Sequence, residues 1–134
     1  MRISALAIDK DLAFAFWVAK ILDGAGYEAF PARSMTDALE LLADIEMNLQ
    51  LVILSGAPQD AETALPQFRQ RCQGIRVLRL VEENDGREDR LPGVDLEIEK
   101  PRNTSENDRA ELLLVVERML ASKSITGAAG SGES

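Results

Sequence analysis

The chain has no histidine and a single cysteine, Cys72. Without histidine, the common metal-ligand sets and every histidine-based catalytic triad are excluded, and one thiol closes no internal disulfide. Cys72 reads as a small side chain on a helix. Cations are also scarce, since 15 Lys and Arg stand against 23 Asp and Glu for a net charge of -8. Nucleic-acid binding needs clustered Lys and Arg to neutralise phosphates. Here they are scattered, so no direct nucleic-acid contact is expected. No apolar run approaches the roughly 20 residues that cross a bilayer. Met1 to Lys10 also lacks the charged, then apolar, then small-residue order of a secretory leader. A cytoplasmic protein without membrane contact is the expectation.

What is present fits one soluble globular domain: 134 residues, 46% hydrophobic and 28% charged. Four apolar runs end at positions where a sheet would gather its chemistry. Ile3 to Ile8 ends on Asp9, Leu51 to Leu54 on Ser55, Ile75 to Leu80 on Val81, and Leu96 to Glu99 on Lys100-Pro101. Tyr27 to Phe30, closed by Pro31, gives one more short strand. Leu51 to Leu54 is apolar on both faces, as a central parallel strand covered on each side must be. Leu96 and Ile98 alternate with Glu97 and Glu99, which predicts an edge strand with one wet face.

Helical stripes separate these runs. The first begins at Asp11 and carries Leu12, Phe14, Phe16, Val18, Ile21 and Leu22 until Gly24 and Gly26 stop it. Ser34 with Asp37 resembles a capping box before Ala38, Leu39, Leu41, Leu42 and Ile45. A helix from about Ala61 to Cys72 must hold Pro66 in its first turn, because an interior proline costs about 3 kcal/mol. The polar stretch from Glu82 to Pro92 predicts that a fourth helix is shortened or absent. Thr104 or Ser105 can cap a last helix bearing Ala110, Leu113, Leu114, Val115, Val116, Met119 and Leu120. From Ser122 the composition turns to Gly, Ser and Ala. A domain over 1–121 and a flexible tail or linker over 122–134 are therefore predicted. Strands alternating with helices give an α/β fold, a doubly wound five-stranded parallel sheet in a flavodoxin-like three-layer sandwich.

In such a sheet the strand C-termini share one edge where ligands gather. This places Asp9, Ser55, Val81 and Lys100 in one pocket. With the Ala38 to Leu42 run, these positions resemble the receiver domain of bacterial two-component response regulators, the CheY-like family. Members have two adjacent acids after the first strand, a phosphorylatable aspartate after the third, a threonine or serine after the fourth and a Lys-Pro after the fifth. Here Asp9 and Lys100-Pro101 match, while Lys10, Ser55 and Val81 depart. The resemblance implies a pocket that in a working receiver binds Mg²⁺ and a phosphoryl group.

The departures remove the charges that chemistry needs. Mg²⁺ is held through carboxylates, and two unit charges about 4 Å apart interact by roughly 4 kcal/mol at an effective dielectric near 20. Exchanging a carboxylate for Lys10 therefore turns attraction into repulsion, and Asp11 is a remote substitute. Ser55 lacks a histidine base and a Gly-x-Ser-x-Gly setting; a nucleophilic pair with Lys10 or Lys100 is the chemical alternative to a small polar residue closing a strand. Lys100 and Lys10 are expected to share Asp9 in a fixed ion network. Glu97, Ile98 and Glu99 supply no aromatic where the family often has one before its lysine.

The expectation is a degenerate phosphorylation pocket of Asp9, Lys10, Ser55, Val81 and Lys100, with no catalytic residue, no metal and no cofactor. The chain reads as a phosphorylation-independent pseudo-receiver, not an enzyme. It would bind protein partners in bacterial signalling or transcriptional control. The alternative is a phosphoaccepting or ligand-sensing receiver with a rebuilt pocket, and a weaker one is a flavodoxin-like enzyme relative. Carboxylates between Glu82 and Glu99 should favour a basic partner surface and leave the chain a monomer or weak dimer.

Overall fold

The computed structural model describes residues 2–56, 61–82, 93–102 and 104–129, the last eight of these by backbone alone. Among them the order is β1 (Ser4–Ile8), α1 (Leu12–Gly24), β2 (Glu28–Ala32), α2 (Met35–Asp44), β3 (Leu49–Ser55), α3 (Ala61–Arg71), β4 (Arg76–Val81), β5 (Leu96–Glu99) and α4 (Glu106–Ala129). The strands form one parallel sheet in the order β2-β1-β3-β4-β5. Chain direction across the sheet reverses between β1 and β3, which puts Asp9 and Ser55 beside the crevice such a reversal creates.

Period-two alternation splits the apolar strands between two cores. Leu6, Ile8, Val52, Leu54 and Val77 face Met35, Leu65 and Phe68 of α2 and α3. Ala5, Ala7, Leu51, Ile53, Leu78 and Leu80 face Val18 and Leu22 of α1 and Leu112, Val116 and Met119 of α4. Phe68 is fully buried; one such side chain contributes about 1.5–3 kcal/mol. Helix starts are fixed by side chains, as Asp11 Oδ1 accepts from Ala13 N at 3.2 Å and Ser34 Oγ from Asp37 N at 3.1 Å. Ser105 caps α4, its Oγ accepting from Asp108 N at 3.2 Å. Past α1, Gly26 takes a φ of 101° that a side chain would strain.

Several expectations need correction. Phe16 is 57% exposed, because the buried stripe Phe14, Ala15, Val18, Ile21 and Leu22 fills the face of α1 toward the sheet. Among the described side chains of α4 the buried ones are Leu112, Val116 and Met119; Ala110 and Leu114, two residues from Leu112, are turned away and exposed. Pro66 lies in the second turn of α3, not the first. It is exposed, so the Glu62 carbonyl it leaves unpaired can be hydrated. Strand β2 runs through Pro31 to Ala32, which an edge strand tolerates. The α4 backbone continues past the predicted boundary at 121 to Ala129, since the first glycine after Glu106 is Gly127 and extending a formed helix costs little. The shortened or absent helix was expected over a stretch of which 83–92 lie outside the described residues, as do 130–134 of the expected tail.

Candidate functional site

Asp9 leaves β1 at the sheet's C-terminal edge and is 4% exposed. Its N–H donates to the Ala32 carbonyl at 3.0 Å, and its Oδ1 accepts from Asp11 N at 2.8 Å. The remaining oxygen, Oδ2, accepts from Lys100 Nζ at 2.8 Å. Lys100 follows β5, where its own N–H donates to the Val81 carbonyl at 2.9 Å. Neighbouring strand exits are thereby tied together, and so are β3 and β4, because Gly56 N donates to Leu80 O at 2.8 Å.

The Lys100 ammonium also reaches Glu82 Oε2 at 3.4 Å and sits 4.4 Å from the Phe14 ring centroid. Its side chain is 12% exposed. Burial pulls its pKa down, but the hydrogen bonds and charges of Asp9 and Glu82 outweigh this and hold it above the ordinary lysine value. The charged form is thus locked in by one buried acid, one exposed acid and an aromatic face.

The other expected residues fall differently. Lys10 is exposed and makes no ion pair among the described residues, contrary to the expected sharing of Asp9. The turn that donates Asp11 N to Asp9 Oδ1 carries Lys10 outward, and a hydrated ammonium gains little by crowding a carboxylate already paired. Ser55 closes β3 half-buried and opposite Leu80; its hydroxyl has no hydrogen-bond partner among the described residues. Val81 ends β4 half-buried, giving the site its carbonyl. Geometry thus joins Asp9 with Lys100, sets Ser55 and Val81 on the same edge and releases Lys10.

Sequence reasoning missed three contributors. Glu82, next after Val81, joins the network as a second acid on Lys100. Phe14, assigned only to the core, also faces the ammonium. Arg79 is 3% exposed within β4, and its Nε donates to Gly56 O at 2.6 Å while Nη1 meets Glu97 Oε2 at 2.8 Å. It thereby fastens the segment after Ser55 to the edge strand. A cation inside an apolar strand run was the available signal.

A cavity of about 690 Å³ opens beside Lys100, bounded by Phe14, Trp17, Glu82 and Thr104. Thr104 has a φ of 47°, an uncommon conformation for a β-branched residue. Among the described residues no cluster of three or more His, Cys, Asp or Glu could hold a metal ion. No helix there is long and apolar enough to cross a membrane.

No protein-family model and no curated protein matches the chain. Solved structures do. A CheY-like response regulator receiver domain from Methanospirillum hungatei JF-1 superposes with a TM-score of 0.71 at 19% identity, covering 92% of this chain and 97% of that one. Chemotaxis response regulator CheY4 of Vibrio cholerae gives 0.66 at 19%, covering 87% and 99%. The chain has the receiver fold. NtrX from Brucella abortus, in complex with ADP, gives 0.72 at 23%, covering 97% of this chain but 29% of its own. The present chain therefore spans under a third of NtrX and nearly all of the CheY-like receivers. In this receiver fold the Asp9–Lys100 bridge joins the exits of β1 and β5.

Proposed function

We propose that the chain is a phosphorylation-independent receiver, a pseudo-receiver that works as a protein-interaction module in bacterial two-component signalling or transcriptional control, and not as an enzyme. The observation that carries this reading is the 2.8 Å bridge between Asp9 and Lys100, formed beside a strand exit where Ser55 offers a hydroxyl in place of a carboxylate. The buried acid is already neutralised by a cation that the protein itself supplies. Mg²⁺ would have to displace that ammonium and would find no carboxylate at Ser55 to compensate. Arg79 supports the same reading, because its bond to Gly56 braces the backbone next to Ser55.

Incubation with acetyl phosphate and Mg²⁺ tests the proposal. Intact-mass analysis should detect no phosphoryl adduct, and Mg²⁺ alone should leave the melting temperature unchanged. An adduct on Asp9, Asp11 or Ser55 would sink it. A second reading, a ligand-sensing receiver with a rebuilt pocket, draws on the cavity between Trp17 and Lys100. A small molecule that quenches Trp17 fluorescence and raises the melting temperature in step would favour that reading.

A further inference from the structure

One wall of the cavity of about 690 Å³ is the first turns of α1, with Asp11, Ala13, Phe14 and Trp17. Among the described residues its lining leaves out Asp9, Lys10, Ser55 and Val81. It is therefore a neighbour of the degenerate phosphorylation pocket and not the same space. Ala13 and Trp17 stand one turn apart on one face of α1, the alanine exposed and the tryptophan half-buried. Helical side chains lean toward the N-terminus, so the indole lies over the turn of Ala13, whose single methyl leaves room beside it. Behind it is Phe14, with ring centroids 5.5 Å apart.

The charges around this aromatic wall do not balance. Of the groups that line the cavity, Asp11, Glu82 and Glu99 outnumber Lys100 and Arg102. Lys100 is committed to Asp9 and Glu82 and already lies over the Phe14 ring. Arg102 is 3.6 Å from Glu99. Asp11 has no cationic partner among the described residues, and its Oδ1 accepts the Ala13 N–H at 3.2 Å. One carboxylate and one indole therefore border the same space with no cation of the chain between them.

We propose that this cavity binds an organic monocation with a planar aromatic body, its ring against Trp17 and its ammonium beside Asp11. Stacking on the indole supplies affinity, and carboxylate and ring face together select a positive charge. The volume suits one small molecule. This inference rests on the ligand-sensing reading and names the class of ligand.

Trp17 is the chain's one tryptophan, so its fluorescence reads this wall alone. Phenethylamine, a cation at neutral pH, should quench it saturably and shift the Trp17 indole and Ala13 amide resonances. Its affinity should exceed that of uncharged phenethyl alcohol by about tenfold. Asp11→Asn keeps the helix cap, since asparagine caps as well as aspartate. It should bring the amine down to the alcohol's affinity and leave the alcohol unchanged. Ala13→Leu, at an exposed helical position, should fill the space and weaken both probes; equal melting temperatures will show that the variants fold. Equal wild-type affinity for amine and alcohol, or a preference for the hydrocinnamate anion, would overturn the cation assignment and leave a ligand-binding cavity. Failure of all three probes to saturate, or binding indifferent to Ala13→Leu, would overturn the ligand-sensing reading at this cavity as well.

Discussion

The two ends of the sheet carry opposite solutions to the same problem. At the C-terminal edge one cation, Lys100, lies between two acids, Asp9 and Glu82. At the N-terminal edge one acid, Asp95, lies between two cations, Arg69 at 3.2 Å and Arg76 at 3.8 Å. The first bond is almost dry, with side chains 12% and 5% exposed, whereas those around Asp95 are 26–36% exposed. Asp95 also works as backbone glue, since its Oδ2 accepts from Val77 N at 2.7 Å and its N–H donates to Val77 O at 2.9 Å. One end therefore hides a charge pair, and the other uses a wet one to fasten the entry of β5. Equal counts of ion pairs conceal unequal dependence on them, because desolvation makes the loss of one partner costly only where water cannot replace it.

Substitution at the dry end should have the largest effect. Lys100→Met strands the Asp9 carboxylate and should cost about 3–5 kcal/mol in urea unfolding. Adding Asp9→Asn should recover most of that, and a double variant no more stable than the single one would break the contrast. Alkali reaches the same bond without mutation. Because the folded pKa of Lys100 is raised above 10.5, the stability it contributes is complete below the unfolded lysine value and is lost as pH rises through the folded one. The wild-type melting temperature should fall there with a component that the double variant lacks.

Asp95→Asn should cost about 1 kcal/mol, since its amide oxygen can keep the Val77 hydrogen bond while water covers the arginines. The deficit should shrink in high salt, as screening of an exposed pair demands. A loss as large as that of Lys100→Met would abolish the distinction between the ends. Glu82→Gln should have the smallest effect, within about 0.5 kcal/mol, because the Glu82 side chain is 61% exposed. A greater loss would mean that Lys100 depends on its wet partner.

The fold was largely legible because β1, β3 and β4 bury both faces, so apolar runs mark them without reference to phase. Their exits follow directly, and this placed Asp9, Ser55, Val81 and Lys100 on one edge. Direction beyond an exit was not legible. Whether Lys10 turns toward Asp9 depends on a loop hydrogen bond from Asp11, which no periodicity encodes. Helix phase was ambiguous for a related reason: Leu12 to Val18 is apolar nearly all round, and Leu112 to Val116 is wholly so. Packing against the sheet then decides that Phe16 and Leu114 face out. Arg79 was opaque because its partner Gly56 is remote in sequence and offers a carbonyl, which any residue could have supplied.

Pro31 has a consequence for the chain at high concentration. Glu28 N donates to Ile3 O and Ala32 O accepts from Asp9 N, so the residues at 28, 30 and 32 direct their backbone groups toward β1. Those at 29 and 31 point to the free margin. A passing strand seeking to extend the sheet would meet one amide donor at Ala29 and none at Pro31. The margin that would otherwise template cross-chain polymerisation is interrupted by a ring. Pro31→Val would restore the missing donor and turn an inert border into a seed for fibrous aggregation.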